Sequence, residues 1–151
     1  MSKFSKIYLS VAIISYLMYL IYCFFFPYIL GQEIDREYIK NIDTEAITEF
    51  YRENPDAASH IRKNGVIEDS LFYDDGKNDV AVWIEVYPEN IYKEKANIKV
   101  KWWGTKKPST YDSRVDIKRN NVFIRITDET KTIRSKVGME KLKELLAEIG
   151  L

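Results

Sequence analysis

A run of 24 consecutive uncharged residues, from Ile7 to Leu30, constrains this chain more than any other feature. A helix rises about 1.5 Å per residue, so the run can cross a hydrocarbon core of about 30 Å. It is longer than the apolar region of a signal peptide, and no small-residue cleavage site follows it. The sequence therefore predicts a retained transmembrane signal anchor at residues 7–30.

Charged residues beside this run indicate its orientation. Lys3 and Lys6 lie just before it, whereas Glu33 and Asp35 precede Arg36, the first basic residue after it. Positively charged flanks are usually kept in the cytoplasm. We expect residues 1–6 to be a cytoplasmic tail of a single-pass protein of the bacterial inner (plasma) membrane. The domain that follows would then lie outside the cytoplasm.

Residues 31–151 are enough for one soluble domain with its own core. The only cysteine, Cys23, lies in the apolar run, so no disulfide can form within the domain. Residues 31–92 carry 6 basic and 15 acidic residues, whereas residues 93–119 carry 9 basic and 3 acidic residues. An anionic partner would be drawn to the second segment. We expect no nucleic acid, because the domain is net acidic and is predicted to lie outside the cytoplasm.

The first part of the domain has helical spacing, predicting helices between about residues 35 and 63. Asp43 is placed to cap one helix, with Ile42 and Ile47 as its hydrophobic staple. The stretch "ENPDAASHIRKNG" predicts a second, short helix that Gly65 ends. A C-terminal helix at about 139–149 is predicted from one apolar face, formed by Met139, Leu142, Leu146 and Ile149.

Between these helices the apolar period changes to two, which predicts strands between about residues 66 and 137. The predicted strands are 66–73, 80–87, 97–103, 114–118 and 122–127, with a weaker sixth at 131–137. Short hairpin-like connections favour an antiparallel meander. The sequence thus predicts an α+β fold: one N-terminal transmembrane helix, two helices, a five- to six-stranded antiparallel sheet and a C-terminal helix.

Alternation divides the strand residues between two faces. The apolar face predicts the core and holds Val80, Val82, Ile84, Val86, Ile98, Val100, Trp102, Val115, Ile117, Val122, Ile124 and Ile126. The opposite face supplies the candidate binding residues Trp83, Tyr87, Lys99, Lys101, Trp103, Phe123 and Arg125. Either a helix covers part of this second face, or it is an aromatic and cationic surface for an anionic or glycan partner.

Catalytic and metal-binding motifs are not evident. His60 is the only histidine, which excludes a paired-histidine metal site within the chain. We expect His60 to be a surface residue and not the base of a serine–histidine–aspartate triad. Glu68 and Glu85 could act as acid and base on neighbouring strands, as in glycoside hydrolysis. We expect no cofactor and no bound metal.

The apolar run contains a stripe of small and hydroxyl-bearing residues at alternating spacings of four and three. Its members are Tyr8, Ala12, Ser15, Tyr19 and Tyr22. This is the spacing at which helices pair, so the stripe is a candidate contact for a partner within the membrane. The alternative is that these residues are simply tolerated in an anchor.

At the level of fold, helices followed by a curved antiparallel sheet resemble cystatin-like and nuclear-transport-factor-2-like domains. That resemblance implies an anchored accessory or assembly subunit of the bacterial envelope. Strands followed by one C-terminal helix resemble instead a bacterial pleckstrin-homology-like domain. We expect a non-enzymatic, membrane-anchored interaction domain, either an assembly subunit or an immunity-type protein. The alternatives are a cytoplasm-facing lipid-headgroup binder and a hydrolase that uses the two glutamates.

Overall fold

The computed structural model describes residues 3–29, 32–93, 95, 97–104, 111–132 and 134–151, and it describes their side chains except at 3, 23–29, 100–104 and 111. The described residues form four α-helices and six strands. The helices are α1 (Lys3–Ile29), α2 (Arg36–Asn41), α3 (Thr44–Glu53) and α4 (Val137–Glu148). The strands are β1 (His60–Ile61), β2 (Ile67–Asp74), β3 (Asn78–Val86), β4 (Asn97–Gly104), β5 (Tyr111–Arg119) and β6 (Val122–Thr130).

Aspartates begin both short helices of the domain. The side chain of Asp43 accepts hydrogen bonds from the backbone N–H groups of Glu45 and Ala46, which confirms the predicted cap of α3. Asp35 caps α2 by accepting from the backbone N–H of Tyr38. The helical spacing before Asp43 therefore belongs to a separate helix.

The six strands form one antiparallel sheet in the order β1-β2-β3-β6-β5-β4. The apolar N-terminal helix, the antiparallel sheet and the C-terminal helix confirm the predicted α+β fold. The predicted meander, in which each strand pairs with the next, is wrong in its strand order. β3 pairs with β6, and β4 lies at the far edge of the sheet beside β5. The connection from β3 to β4 therefore has to pass the ends of β6 and β5, three strand spacings or about 14 Å.

Two predicted elements are wrong. The helix predicted at 54–65 is only a single 3₁₀ turn at Pro55–Ala57, followed by β1. Ser59 donates its hydroxyl to Asp69, and this bond draws the segment alongside β2. The weak strand at 131–137 does not form among the residues described there. Ser135 makes an isolated bridge to Gln32, and α4 has begun by Val137.

The core lies between the sheet and the helices α2, α3 and α4. Ile47 and Tyr51 of α3 and Leu142 of α4 are fully buried against the apolar face of the sheet. The predicted apolar face is buried at Val80, Val82, Ile84, Val86, Val115, Ile117, Val122, Ile124 and Ile126, with Ile98 partly buried. Val100 and Trp102 fall among the side chains outside the description. Alternation therefore predicted the core correctly wherever it can be compared.

Candidate binding surface

The face of the sheet opposite this core, here called the open face, is formed by alternate residues of β2 to β6. Its described members include Glu68, Phe72, Trp83, Glu85, Lys99, Arg114, Asp116, Lys118, Phe123 and Arg125. The helices α3 and α4 both pack their apolar side chains on the other face. Among the described residues, α3 and α4 therefore leave the open face uncovered, whereas α1 approaches the edge strand β4.

The pairing register brings several of the predicted binding residues together. Trp83 lies opposite Arg125, Arg125 lies opposite Asp116, and Asp116 lies opposite Lys99. Lys99 is exposed. Lys101 and Trp103 occupy β4 positions opposite Arg114 and Asp112, but their side chains are outside the description.

Among the described side chains, two aromatic residues form the exposed apolar part of the open face. Phe72 is 67% exposed and Trp83 is 37% exposed, and their rings meet edge to face with centroids 5.4 Å apart. Phe72 was missing from the sequence-based candidates. The alternation in "SLFY" could have identified it, because Leu71 and Tyr73 pack against the core and Phe72 must point the other way.

Phe123 has a different place in the surface. The residue is buried, with a relative exposure of only 7%. The ammonium of Lys118 lies 5.4 Å from the ring centroid and the guanidinium of Arg125 lies 4.9 Å from it. Phe123 therefore lies beneath two cationic groups, and cation–π attraction stabilises their positions over its ring.

Asp116 neutralises much of the positive charge of this face. It accepts a hydrogen bond from Arg125 Nε at 2.8 Å and one from Arg114 Nη2 at 2.9 Å. Burial disfavours the charged carboxylate, but the hydrogen bonds from Arg125 and Arg114 outweigh it and lower the pKa of Asp116. The two arginines are thus held in fixed orientations, with their planar groups available at the surface.

The proposed catalytic glutamates lie directly opposite each other, Glu68 on β2 and Glu85 on β3. Arg62 bridges them by forming an ion pair with each carboxylate. Tyr87, which follows β3, donates its hydroxyl to Glu85 at 2.7 Å. Burial, and then this hydrogen bond, raise the pKa of Tyr87. Tyr87 therefore supports Glu85 at the margin of the open face.

These groups border a cavity of about 330 Å³ at one end of the open face, lined by Arg62, Glu68, Trp83, Glu85, Phe123 and Arg125. Its floor is aromatic and its rim alternates in charge. Such a cavity suits the polar tip of a partner side chain. Among the described residues, no group of three or more histidine, cysteine, aspartate or glutamate side chains is placed to hold a metal ion.

The N-terminal helix presents a second candidate contact. From Phe4 to Tyr22, α1 is long and apolar enough to cross a membrane, and none of this stretch is buried. The predicted stripe residues Tyr8, Ala12, Ser15, Tyr19 and Tyr22 all occupy exposed positions on it. A contact of this stripe with a partner in the bilayer stays a prediction.

No family model matches the chain, and no curated protein or solved structure matches it either. These comparisons assign it to neither of the fold resemblances suggested by the order of its elements.

Proposed function

We propose that this chain is a single-pass membrane protein whose α+β domain binds another protein through the open face. The observation that carries the proposal is the exposure of Phe72 and Trp83 on a sheet face that α3 and α4 leave uncovered. Binding surfaces are enriched in aromatic residues and arginine, and the open face supplies both. The partner most compatible with it is a protein that offers acidic and aromatic groups.

The exposed apolar surface of α1 supports membrane anchoring. A helix with large apolar side chains on every side is unfavourable in water and stable in lipid. The lysines at positions 3 and 6 favour a cytoplasmic N-terminus, which would place the domain on the outer side of a bacterial inner membrane. The role that fits is an assembly or immunity-type accessory protein of the cell envelope.

A binding role is favoured over hydrolysis by the contacts of Glu68 and Glu85. An acid–base pair needs one carboxyl group to donate a proton and the other to receive one. Both carboxylates are instead occupied by the same guanidinium, that of Arg62. The ion pair joins β2 to β3 and gives these glutamates a structural role.

The experiment compares a double variant of the open face with a matched control. Phe72→Ser with Lys99→Glu removes the most exposed ring and reverses one charge of the open face. Leu151→Ser with Lys77→Glu makes equivalent changes at exposed positions elsewhere. Each tagged full-length chain is crosslinked in cells, and the proteins recovered with it are quantified by mass spectrometry.

We expect at least one protein to be recovered with the wild type and with the control, and to be depleted about fivefold or more with the open-face variant. Melting of the two variants should differ little, because surface substitutions usually change stability by no more than about 0.5 kcal/mol. Equal recovery with both variants would show that the open face does not bind the partner.

A further inference from the structure

A second surface, separate from the aromatic pair on the open face, gathers positive charge. A cleft of about 980 Å³ lies between α2, the β3–β4 connection, the start of β4 and the end of β5. We call it the basic cleft, and its six cations are Arg36, Lys40, Lys93, Lys95, Lys118 and Arg119. They come from three separate parts of the sequence.

The strand order explains how these parts meet. Because β4 lies at the far edge of the sheet, the connection from β3 must pass the β5–β6 turn. Tyr92 N–H donates to the carbonyl of Asn120 at 2.7 Å, and Asn120 N–H donates to the carbonyl of Lys93 at 3.4 Å. These bonds hold the connection beside the end of β5, so Lys93 lies near Lys118 and Arg119.

Arg119 joins the cleft to α2. Its Nη1 donates to the backbone carbonyl of Lys40 at 2.9 Å and to that of Ile42 at 3.2 Å. Since both acceptors are neutral carbonyls, the guanidinium keeps its full charge. The cleft is therefore fixed at both walls by hydrogen bonds.

None of the six cations forms an ion pair with a described residue, in contrast to the arginines of the open face. Among the described residues, the Lys118 ammonium contacts two rings and lies 5.5 Å from the centroid of Tyr92 and 5.4 Å from that of Phe123. No acidic side chain lines the cleft among the described residues, and Glu94 of the connection lies outside the description. Cations held close together repel one another unless an anion joins them.

We propose that the basic cleft binds a phosphate group. Arginine forks and lysine ammonium groups together suit a phosphate, which accepts several charge-assisted hydrogen bonds. The cleft also exposes an apolar side chain, Ile91, which is 52% exposed beside the cations. A ligand that carries both phosphate and apolar carbon satisfies this combination.

The headgroup layer of the membrane is close enough to supply such a ligand. The helix α1 ends at Ile29 and α2 begins with Arg36 seven residues later. A fully extended link of that length spans at most about 25 Å. With α1 in a bilayer, Arg36 stays within that distance of the end of the span, where phospholipid headgroups offer phosphates at high local concentration. This source of phosphate rests on the membrane anchoring proposed above. The proposal does not depend on the open face binding a protein.

Binding is tested with the full-length chain in an uncharged detergent. The probes are dioctanoyl phosphatidylglycerol, dioctanoyl phosphatidylcholine and inorganic phosphate, each titrated against labelled protein. The cleft variant carries Lys93→Glu and Lys95→Glu. A matched control carries Lys63→Glu and Lys77→Glu, which are exposed lysines outside the cleft, so both variants change the net charge equally.

We expect the wild type and the control to bind phosphatidylglycerol equally, and the cleft variant to bind it about tenfold more weakly or worse. The difference should shrink at high salt. Preference for the lipid over inorganic phosphate would identify a headgroup site, and the reverse preference would identify a site for a soluble phosphate compound. Equal binding by the two variants, or no binding of any probe by the wild type, would overturn the proposal.

Discussion

Asp128 is the residue whose environment differs most from that of an ordinary carboxylate. It lies on the core face of β6, is 2% exposed, and accepts a hydrogen bond from Gln32 Nε2 at 3.2 Å. Its second oxygen and the amide oxygen of Gln32 have no hydrogen-bond partner among the described residues. Burial raises the pKa of Asp128 to about 6, although the nearby Ser135 hydroxyl and the hydrogen bond from Gln32 oppose the increase.

Because this pKa is higher in the folded than in the unfolded chain, the folded state binds the proton more tightly. The free energy of unfolding should therefore fall as pH rises from about 4 to above 6, by roughly 3 kcal/mol from Asp128 alone. Asp116 has the opposite effect, because its pKa is lower in the folded than in the unfolded chain. Its contribution to the free energy of unfolding is therefore lost as pH falls below about 4. The interval between about pH 4 and pH 6 thus isolates Asp128.

Asp128→Asn should raise the free energy of unfolding at pH 7 by about 1–3 kcal/mol and flatten its pH dependence above pH 4. The amide removes the buried charge and supplies an N–H donor for the unpartnered amide oxygen of Gln32. Denaturant unfolding of the full-length chain in uncharged detergent, followed across pH, measures both effects. A variant that is less stable than the wild type at pH 7 would mean that the carboxylate stabilises the fold.

At the scale of elements, the start of α4 is fixed against the segment that follows α1. The backbone N–H of Glu33 donates to the carbonyl of Ser135 at 2.8 Å, and Gln32 bridges to the same residue. Gly138 allows this approach. A Cβ added there would overlap with the side-chain amide of Gln32 and would lie 2.6 Å from Ile126 Cγ2. The junction therefore needs a glycine for space.

Gly138→Ala should lower the free energy of unfolding by about 1–3 kcal/mol, although alanine favours helix more than glycine does. The steric cost arises because Ile126 is fully buried and Gln32 is held by Asp128. Thermal melting measures the loss. Glu144→Ala, at an exposed position of α4, is the control and should cost no more than about 0.5 kcal/mol. If Gly138→Ala instead raises the melting temperature, the junction has room to adjust.

The strands could be predicted because they are long and alternate strictly, whereas short elements could not. β1 consists of His60 and Ile61 alone, a length at which a period of two cannot be recognised. The order of the strands also could not be predicted from local patterns, because the pairing of β3 with β6 depends on contacts between residues far apart in the sequence. Turn chemistry favoured neighbouring hairpins and therefore the meander.

On the scale of the whole molecule, the same limit applies to the two proposed sites. The sequence showed that residues 93–119 are basic and that one strand face is aromatic. It could not show that Arg36 and Lys40 complete the cleft, because they join it through the bonds from Arg119. It also could not show that Asp116 neutralises Arg114 and Arg125. The alternation of a strand shows which charged residues share a face. Which of these charges form ion pairs depends on how neighbouring strands are aligned.

The orientation of the chain can be tested with reporters fused after Leu151. Because Lys3 and Lys6 favour retention of the N-terminus, we expect an alkaline phosphatase fusion to be active in a bacterial host. A fluorescent protein that matures only in the cytoplasm should be dark at the same position. The reverse pattern would place the domain and both of its proposed sites in the cytoplasm.

Site-specific photo-crosslinking in cells tests the open face most directly. A photoreactive phenylalanine analogue is placed at position 72 on the open face, or at position 49, an exposed residue of α3 on the helical side. The membrane-anchored full-length chain is irradiated, and adducts are separated by mass. We predict a discrete adduct to another protein from position 72 and none from position 49. An adduct from position 49 alone, or from neither position, would contradict the open face as the binding surface.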